Sequence, residues 1–135
     1  MDGRPLACRE LSRTEPLVRR VIVLGGLGLF GRAAAEQLRR LGVQVQTASR
    51  REGADLRMDA DDPASIRSVV RAGNIVLDAA GPFHTRTLAL IDAAIETGFD
   101  VVDLNDNLGY AESVISLQSQ IEESGIRVLS SASTV

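Results

Sequence analysis

Three glycines spaced Gly26-x-Gly28-x-x-Gly31 follow the apolar run Val21-Ile22-Val23-Leu24. A buried strand that turns through such glycines into a helix brings bare backbone N–H groups, at the positive end of the helix dipole, up to an anion. The anion this pattern fits is a pyrophosphate, so the chain reads as a dinucleotide binder. Gly26 would make the tight turn, Gly28 would leave no Cβ between backbone and pyrophosphate, and Gly31 would let helix and strand pack closely. Gly25 supports an overlapping register, Gly25-x-x-Gly28-x-x-Gly31. A glycine-rich turn with no ligand is the alternative, and the strand before it and helix after it weigh against that.

The end of the next apolar run bears on which dinucleotide binds. NAD-binding domains place Asp or Glu there, where it accepts from the ribose 2′-hydroxyl. This chain has Thr47-Ala48-Ser49-Arg50-Arg51 and no carboxylate until Glu52. A carboxylate would repel a 2′-phosphate, whereas a serine hydroxyl and one or two guanidinium forks would bind it. The expectation is therefore NADP(H) rather than NAD(H), against the simpler reading of Arg50 and Arg51 as solvated charges at a loop start. Asp59 could accept from an adenine amino group, or could be a helix cap or solvated acid among Asp55, Asp61 and Asp62.

The elements that must hold these groups alternate. Strands are expected at 21–24, 43–48, 54–58, 74–78, 100–104 and 126–129. Helices follow the glycine turn with Phe30, Ala34, Leu38 and Leu41 on one face, then carry Ile66, Val69 and Val70, then Leu88, Ile91 and Ile95. A last one carries Val114, Leu117 and Ile121. Pro63 suits a first helical turn, and Gly42, Gly73, Gly98 and Gly125 suit helix ends. Six strands with short crossovers predict a doubly wound parallel α/β (Rossmann) sheet in the order 3-2-1-4-5-6. Residues 1–19 read as a flexible arm and 20–135 as the dinucleotide-binding domain, with the Ser-rich stop at Val135 suggesting a domain cut from a longer chain or else a frayed terminus.

Composition excludes several other classes. With 135 residues there is room for one domain, and a net charge of −3 with three Phe and one Tyr offers nucleic acid no basic or stacking surface. No apolar run is long enough to span a membrane, and the first residues lack the apolar core of a secretory signal. One cysteine, Cys8, leaves no internal disulfide and fits a cytoplasmic setting. All fifteen basic residues are arginine, so lysine chemistry is absent from the chain.

The chain resembles the NADP-binding domain of the saccharopine dehydrogenase family. The resemblance rests on Gly26-Leu27-Gly28-Leu29-Phe30-Gly31, Ser49-Arg50, Asp59-Ala60, and Asn74-Ile75-Val76-Leu77-Asp78-Ala79-Ala80-Gly81-Pro82-Phe83. It extends through Asp100-Val101-Val102-Asp103-Leu104, Tyr110 and Val128-Leu129-Ser130-Ser131-Ala132-Ser133-Thr134. The resemblance implies a cofactor site built from Gly26, Gly28, Leu29, Phe30, Ser49, Arg50, Asp59, Ala79, Ala80, Gly81, Pro82 and Phe83, to which the glycine loop adds Leu27 and Gly31 and the end of the second strand adds Arg51. Small residues at 79–81 would leave room for ribose and nicotinamide, and Phe83 would either cap that edge or simply pack.

Family members continue into a second α/β domain that supplies substrate contacts and usually oligomerises. The resemblance therefore implies an oxidoreductase half, with NADP(H) here, a small-molecule substrate held by the missing domain, and room for a homodimer. A non-catalytic sensor of the NADP(H) ratio is the alternative, and a complete single-domain reductase a third. His84, the one histidine, could shuttle a proton or lie on the surface at a helix start. Asp78, Asp103, Asn105 and Asp106 lie at the strand ends where ligands bind, yet such residues also cap helices. No metal cluster, triad or catalytic base is legible.

Overall fold

The structure is a computed structural model that describes residues 19–131. Residues 1–18 of the expected arm, Cys8 among them, and Ala132-Ser133-Thr134-Val135 lie outside the described residues, while Arg19 at the arm's end is tied to the Gly73 carbonyl and Asp100. Six parallel strands form one sheet in the order β3-β2-β1-β4-β5-β6, as the alternating pattern predicts. They are β1 (Val21–Leu24), β2 (Val45–Ser49), β3 (Leu56–Arg57), β4 (Ile75–Asp78), β5 (Asp100–Asp103) and β6 (Val128–Leu129). The outer strands are shorter than expected. β3 pairs with β2 only through Ala48–Leu56 and Ser49–Arg57, so the ladder ends before Met58.

The helices are α1 (Leu29–Arg40), α2 (Pro63–Val69), α3 (Ala89–Thr97), α4 (Leu108–Ile115) and α5 (Gln118–Ser124), with a 3₁₀ turn at Phe83–Thr85. Pro63 does open α2, below Asp62, whose carboxylate accepts from the Ala64 N–H. Gly98 and Gly125 stop α3 and α5 in the left-handed region at φ 94° and 77°. The single last helix is corrected to two. The Ser116 hydroxyl donates to the Ser113 carbonyl, a side-chain competitor for the helical ladder, and Leu117 leaves helical geometry.

β1 is buried on both faces, as its unbroken apolar run requires. Ile22 and Leu24 join Val76, Val101, Ile66, Leu90, Ile91 and Phe99 in the larger core, beneath α2, α3 and α4. Val21 and Val23 face the other way, toward Ala35 and Leu38 of α1. The expected face of α1 holds at Leu38, which packs on that cluster, and is corrected at Phe30 and Leu41. Gly31 and Ala35 are its buried residues, while Phe30 and Leu41 stay 71% and 70% exposed. The helix seats through its smallest residues because only they allow its axis to come down onto the glycine turn.

Candidate functional site

The glycine turn divides its work among four residues. Gly25 makes the tight turn in the left-handed region at φ 78°, and a Cβ there would lie 2.7 Å from the Ala79 carbonyl. That role had been expected of Gly26, which instead packs on β2: its Cβ would meet Thr47 Cβ at 2.5 Å. A Cβ on Gly31 would overlap the Gly25 carbonyl oxygen, so this glycine sets the strand-to-helix approach. Gly28 differs, for a Cβ there would meet nothing closer than the Gly25 oxygen at 3.4 Å. Its open side, at the N-cap of α1, is where the backbone is bare.

That bareness is electrostatic as well as steric. No side chain caps α1, and its first turn carries no acid. Its leading N–H groups therefore have no side-chain acceptor, at the end where the helix dipole is positive.

The turn forms one wall of a cleft of about 450 Å³ at the carboxyl ends of β1, β2 and β4. Leu27 and Gly28 come from the turn, Ser49, Arg50 and Arg51 from β2 and its exit, Asp59 from beyond β3, and Ala79, Ala80, Gly81 and Pro82 from beyond β4. Gly26 and Gly31 shape the turn from behind, while Leu29 and Phe30 point outward from α1, 81% and 71% exposed. Phe83 is buried at 7% exposure, its ring centroid 5.3 Å from that of Tyr110. Its place is therefore the packing alternative, behind the cleft wall.

At the β2 end the Ser49 hydroxyl accepts from the Arg51 N–H at 3.1 Å, which leaves its own proton to donate. The Arg50 and Arg51 guanidiniums have no ion-pair partner among the described residues, whereas Glu52 leans toward Arg57 at 3.9 Å. Asp59 accepts from the Asp61 N–H at 2.9 Å, an Asx turn that aims the loop at the cleft, and the capping role belongs to Asp62.

Opposite, the loop after β4 hangs on a buried ion pair that the sequence did not reveal. Arg86 donates to both carboxylate oxygens of Asp78, at 3.0 and 2.8 Å, and to the Ala80 carbonyl at 2.8 Å. Asp78 is fully buried and the Arg86 side chain is 6% exposed. Burial pushes the Asp78 carboxyl above its ordinary range, and the Arg86 hydrogen bonds pull it back. Arg86 is one of fifteen arginines and belongs to no motif, so no signal in the chain singled it out.

The other polar residues at these strand ends serve structure. Asp103 accepts from the Ser130 hydroxyl at 2.9 Å and the Ser131 N–H at 2.8 Å, tying β5 to the end of β6. Asn105 donates to the hydroxyls of Ser130 and Ser131, and Asn107 caps α4 through the Tyr110 N–H. His84 and Asp106 are exposed, and neither lines the cleft. No cluster of metal-ligating side chains occurs among the described residues, and no described helix is long and apolar enough to cross a membrane.

The bare helix end, the open side of Gly28, and Arg50 and Arg51, without ion-pair partners among the described residues, fit a dinucleotide's phosphates. Residues 21–129 match the family model described as the saccharopine dehydrogenase NADP binding domain. The chain belongs to that family.

A saccharopine dehydrogenase of Saccharomyces cerevisiae (L-Glu forming, apo) superposes with a TM-score of 0.69 at 20% identity, over 84% of this chain and 27% of that one. A UDP-N-acetylglucosamine 4-epimerase of Bacillus cereus superposes at 0.60 and 16% identity, over 83% of this chain and 58% of the other. At such identities the likeness is one of fold. A lipid droplet localized protein of Caenorhabditis elegans is 27% identical over 110 residues, 76% of this chain. This NADP-binding domain spans 26% of that relative's length.

Proposed function

We propose that this domain binds NADP(H) in preference to NAD(H) and holds the nicotinamide for hydride transfer to a small molecule gripped by further polypeptide. The observation that carries the reading is the β2 end of the cleft. Ser49, Arg50 and Arg51 stand where a carboxylate would select the ribose hydroxyl, and both guanidiniums are without ion-pair partners among the described residues. In this reading the 2′-phosphate lies against them, the pyrophosphate lies at the N-terminus of α1 beside Gly28, and Ala79, Ala80 and Gly81 leave space for the nicotinamide ribose. The bound cofactor would supply the hydride, while the chain's residues orient it and exclude water.

The substrate site is assigned to a second domain by likeness to the family, whose members carry substrate contacts on further polypeptide. The small share of its relatives that this domain covers supports the same assignment. A cytoplasmic setting belongs to this reading, as does the allowance for a homodimer.

Side-by-side titration tests it, read by nicotinamide fluorescence in a chain without tryptophan. NADPH should bind about tenfold or more tighter than NADH, and Arg50→Ala should remove most of that difference by weakening NADPH alone. Equal affinities in the wild-type chain would refute the preference.

A further inference from the structure

We infer that Arg86 is a positioning residue for the nicotinamide side of the cofactor cleft, acting through buried Asp78 to hold the Ala79–Ala80–Gly81 backbone in place. The inference rests on the NADP(H) reading above and adds to it the group that shapes the half of the cleft away from the 2′-phosphate.

The Ala79 N–H still donates to the Leu24 carbonyl of β1 at 2.9 Å, but past that bond the loop's own side chains give it little to hold by. Ala79, Ala80 and Gly81 have almost no side chain to pack, which is what leaves room beside them. Ala80 is instead gripped at both backbone groups. Its N–H donates to Asp78 Oδ1 at 3.1 Å, and its carbonyl accepts from the Arg86 guanidinium at 2.8 Å. The same guanidinium binds both oxygens of Asp78, so strand end, loop and Arg86 are joined in one circuit, and its Nε lies a looser 3.5 Å from Asp61 on the cleft's β3 side.

Arg86 is itself immobilised. Its backbone N–H closes the 3₁₀ turn on the Phe83 carbonyl at 3.1 Å. Its guanidinium carbon lies 5.3 Å from the Phe83 ring centroid and 5.9 Å from that of Tyr110. Through Tyr110 the loop is braced on α4, an element with no residue lining the cleft. Displacement of this loop has a defined consequence, since the left-handed turn at Gly25 has no space to spare against the backbone of Ala79 and Ala80. A shift of Ala80 would move the wall facing the ring and press on the glycine turn, while leaving Ser49 and Arg50 on β2 untouched.

The test uses two ligands that share one end. NADPH spans the whole cleft, whereas adenosine 2′,5′-bisphosphate lacks the nicotinamide half. Arg86→Met leaves the Asp78 charge buried and unpaired and could fail to fold. The neutral double variant, Asp78→Asn with Arg86→Gln, removes that charge and keeps hydrogen-bonding groups at both positions. Thermal unfolding by circular dichroism establishes which variants are folded.

In the folded variants NADPH affinity should fall by about tenfold or more, while bisphosphate affinity changes by less than about twofold. Parallel loss of both ligands would assign Arg86 a purely structural role, and unchanged affinity for both would remove it from the site. Either result overturns the inference and leaves the NADP(H) reading intact. Wild-type chain that binds the bisphosphate no better than adenosine 5′-monophosphate overturns the NADP(H) reading, and this inference with it.

Discussion

Gly28 and Gly31 belong to one motif, and their surroundings give them opposite tasks. A methyl group at Gly31 would have to displace the backbone of Gly25, whereas one at Gly28 projects into the cleft. Gly31→Ala should therefore destabilise the fold by about 1–3 kcal/mol, the range for forcing an extra methyl into a packed site. Gly28→Ala should cost no more than about 1 kcal/mol in urea unfolding, the preference for glycine over alanine at an N-cap, and still weaken NADPH binding. Urea titration and ligand titration of the two variants separate these outcomes, and comparable stability losses would contradict the division of labour. The spacing alone showed that glycines were required here. It could not show which pack against protein and which face the cleft, because Gly26 meets Thr47 of β2, Gly25 meets Ala79 beyond β4, and Gly31 meets the Gly25 carbonyl that this turn carries inward.

Among the elements, those bounded by local chemistry were the most legible. Pro63 marked the start of α2, and Gly98 and Gly125 marked the ends of α3 and α5, since proline's fixed φ and glycine's tolerance of positive φ act within a single turn. Asp62 completes the α2 start by accepting from the Ala64 N–H at 3.0 Å. Asp62→Ala should cost about 1 kcal/mol in urea unfolding, and an unchanged midpoint would show that the cap contributes nothing. The buried face of α1 was legible only at Leu38, and the break between α4 and α5 was not legible. Apolar spacing pointed to Phe30 and Leu41, but the helix docks by close approach, which favours Gly31 and Ala35 over larger neighbours. At the break the Ser116 hydroxyl bonds the Ser113 carbonyl and Leu117 leaves helical geometry, a local departure that hydrophobic spacing does not register.

At the scale of the molecule, polar contacts between distant segments tie the sheet together, and one of them is pH-sensitive. Burial by itself would raise Asp100, yet the Arg127 N–H at 2.8 Å and the Arg19 guanidinium at 2.8 Å together hold its carboxyl below the ordinary value of 3.8. Because the folded value lies below the unfolded one, this contribution is complete at neutral pH and is lost as pH falls through the folded value. Urea midpoints measured from pH 7 down to about pH 3 should decline, and Asp100→Asn should be less stable at neutral pH with a flatter acid limb. An acid limb as steep in the variant as in the wild type would place the sensitivity elsewhere.

Periodicity and turn residues were enough to specify six strands, their order and the edge at which the cleft opens, because a parallel α/β sheet permits few connections and opens its crevice at the reversal of strand order. The Ser49-Arg50-Arg51 end of β2 was likewise readable, being a matter of which residues stand beside one another in the chain. The far wall of the cleft was decided only by the tertiary structure. Asp78 and Arg86 are eight residues apart with a loop between them, and Tyr110 reaches them from α4. Nothing local pairs these three. Burial at a strand end brings them together, and it makes a paired arginine the group that can neutralise a carboxylate with no access to water.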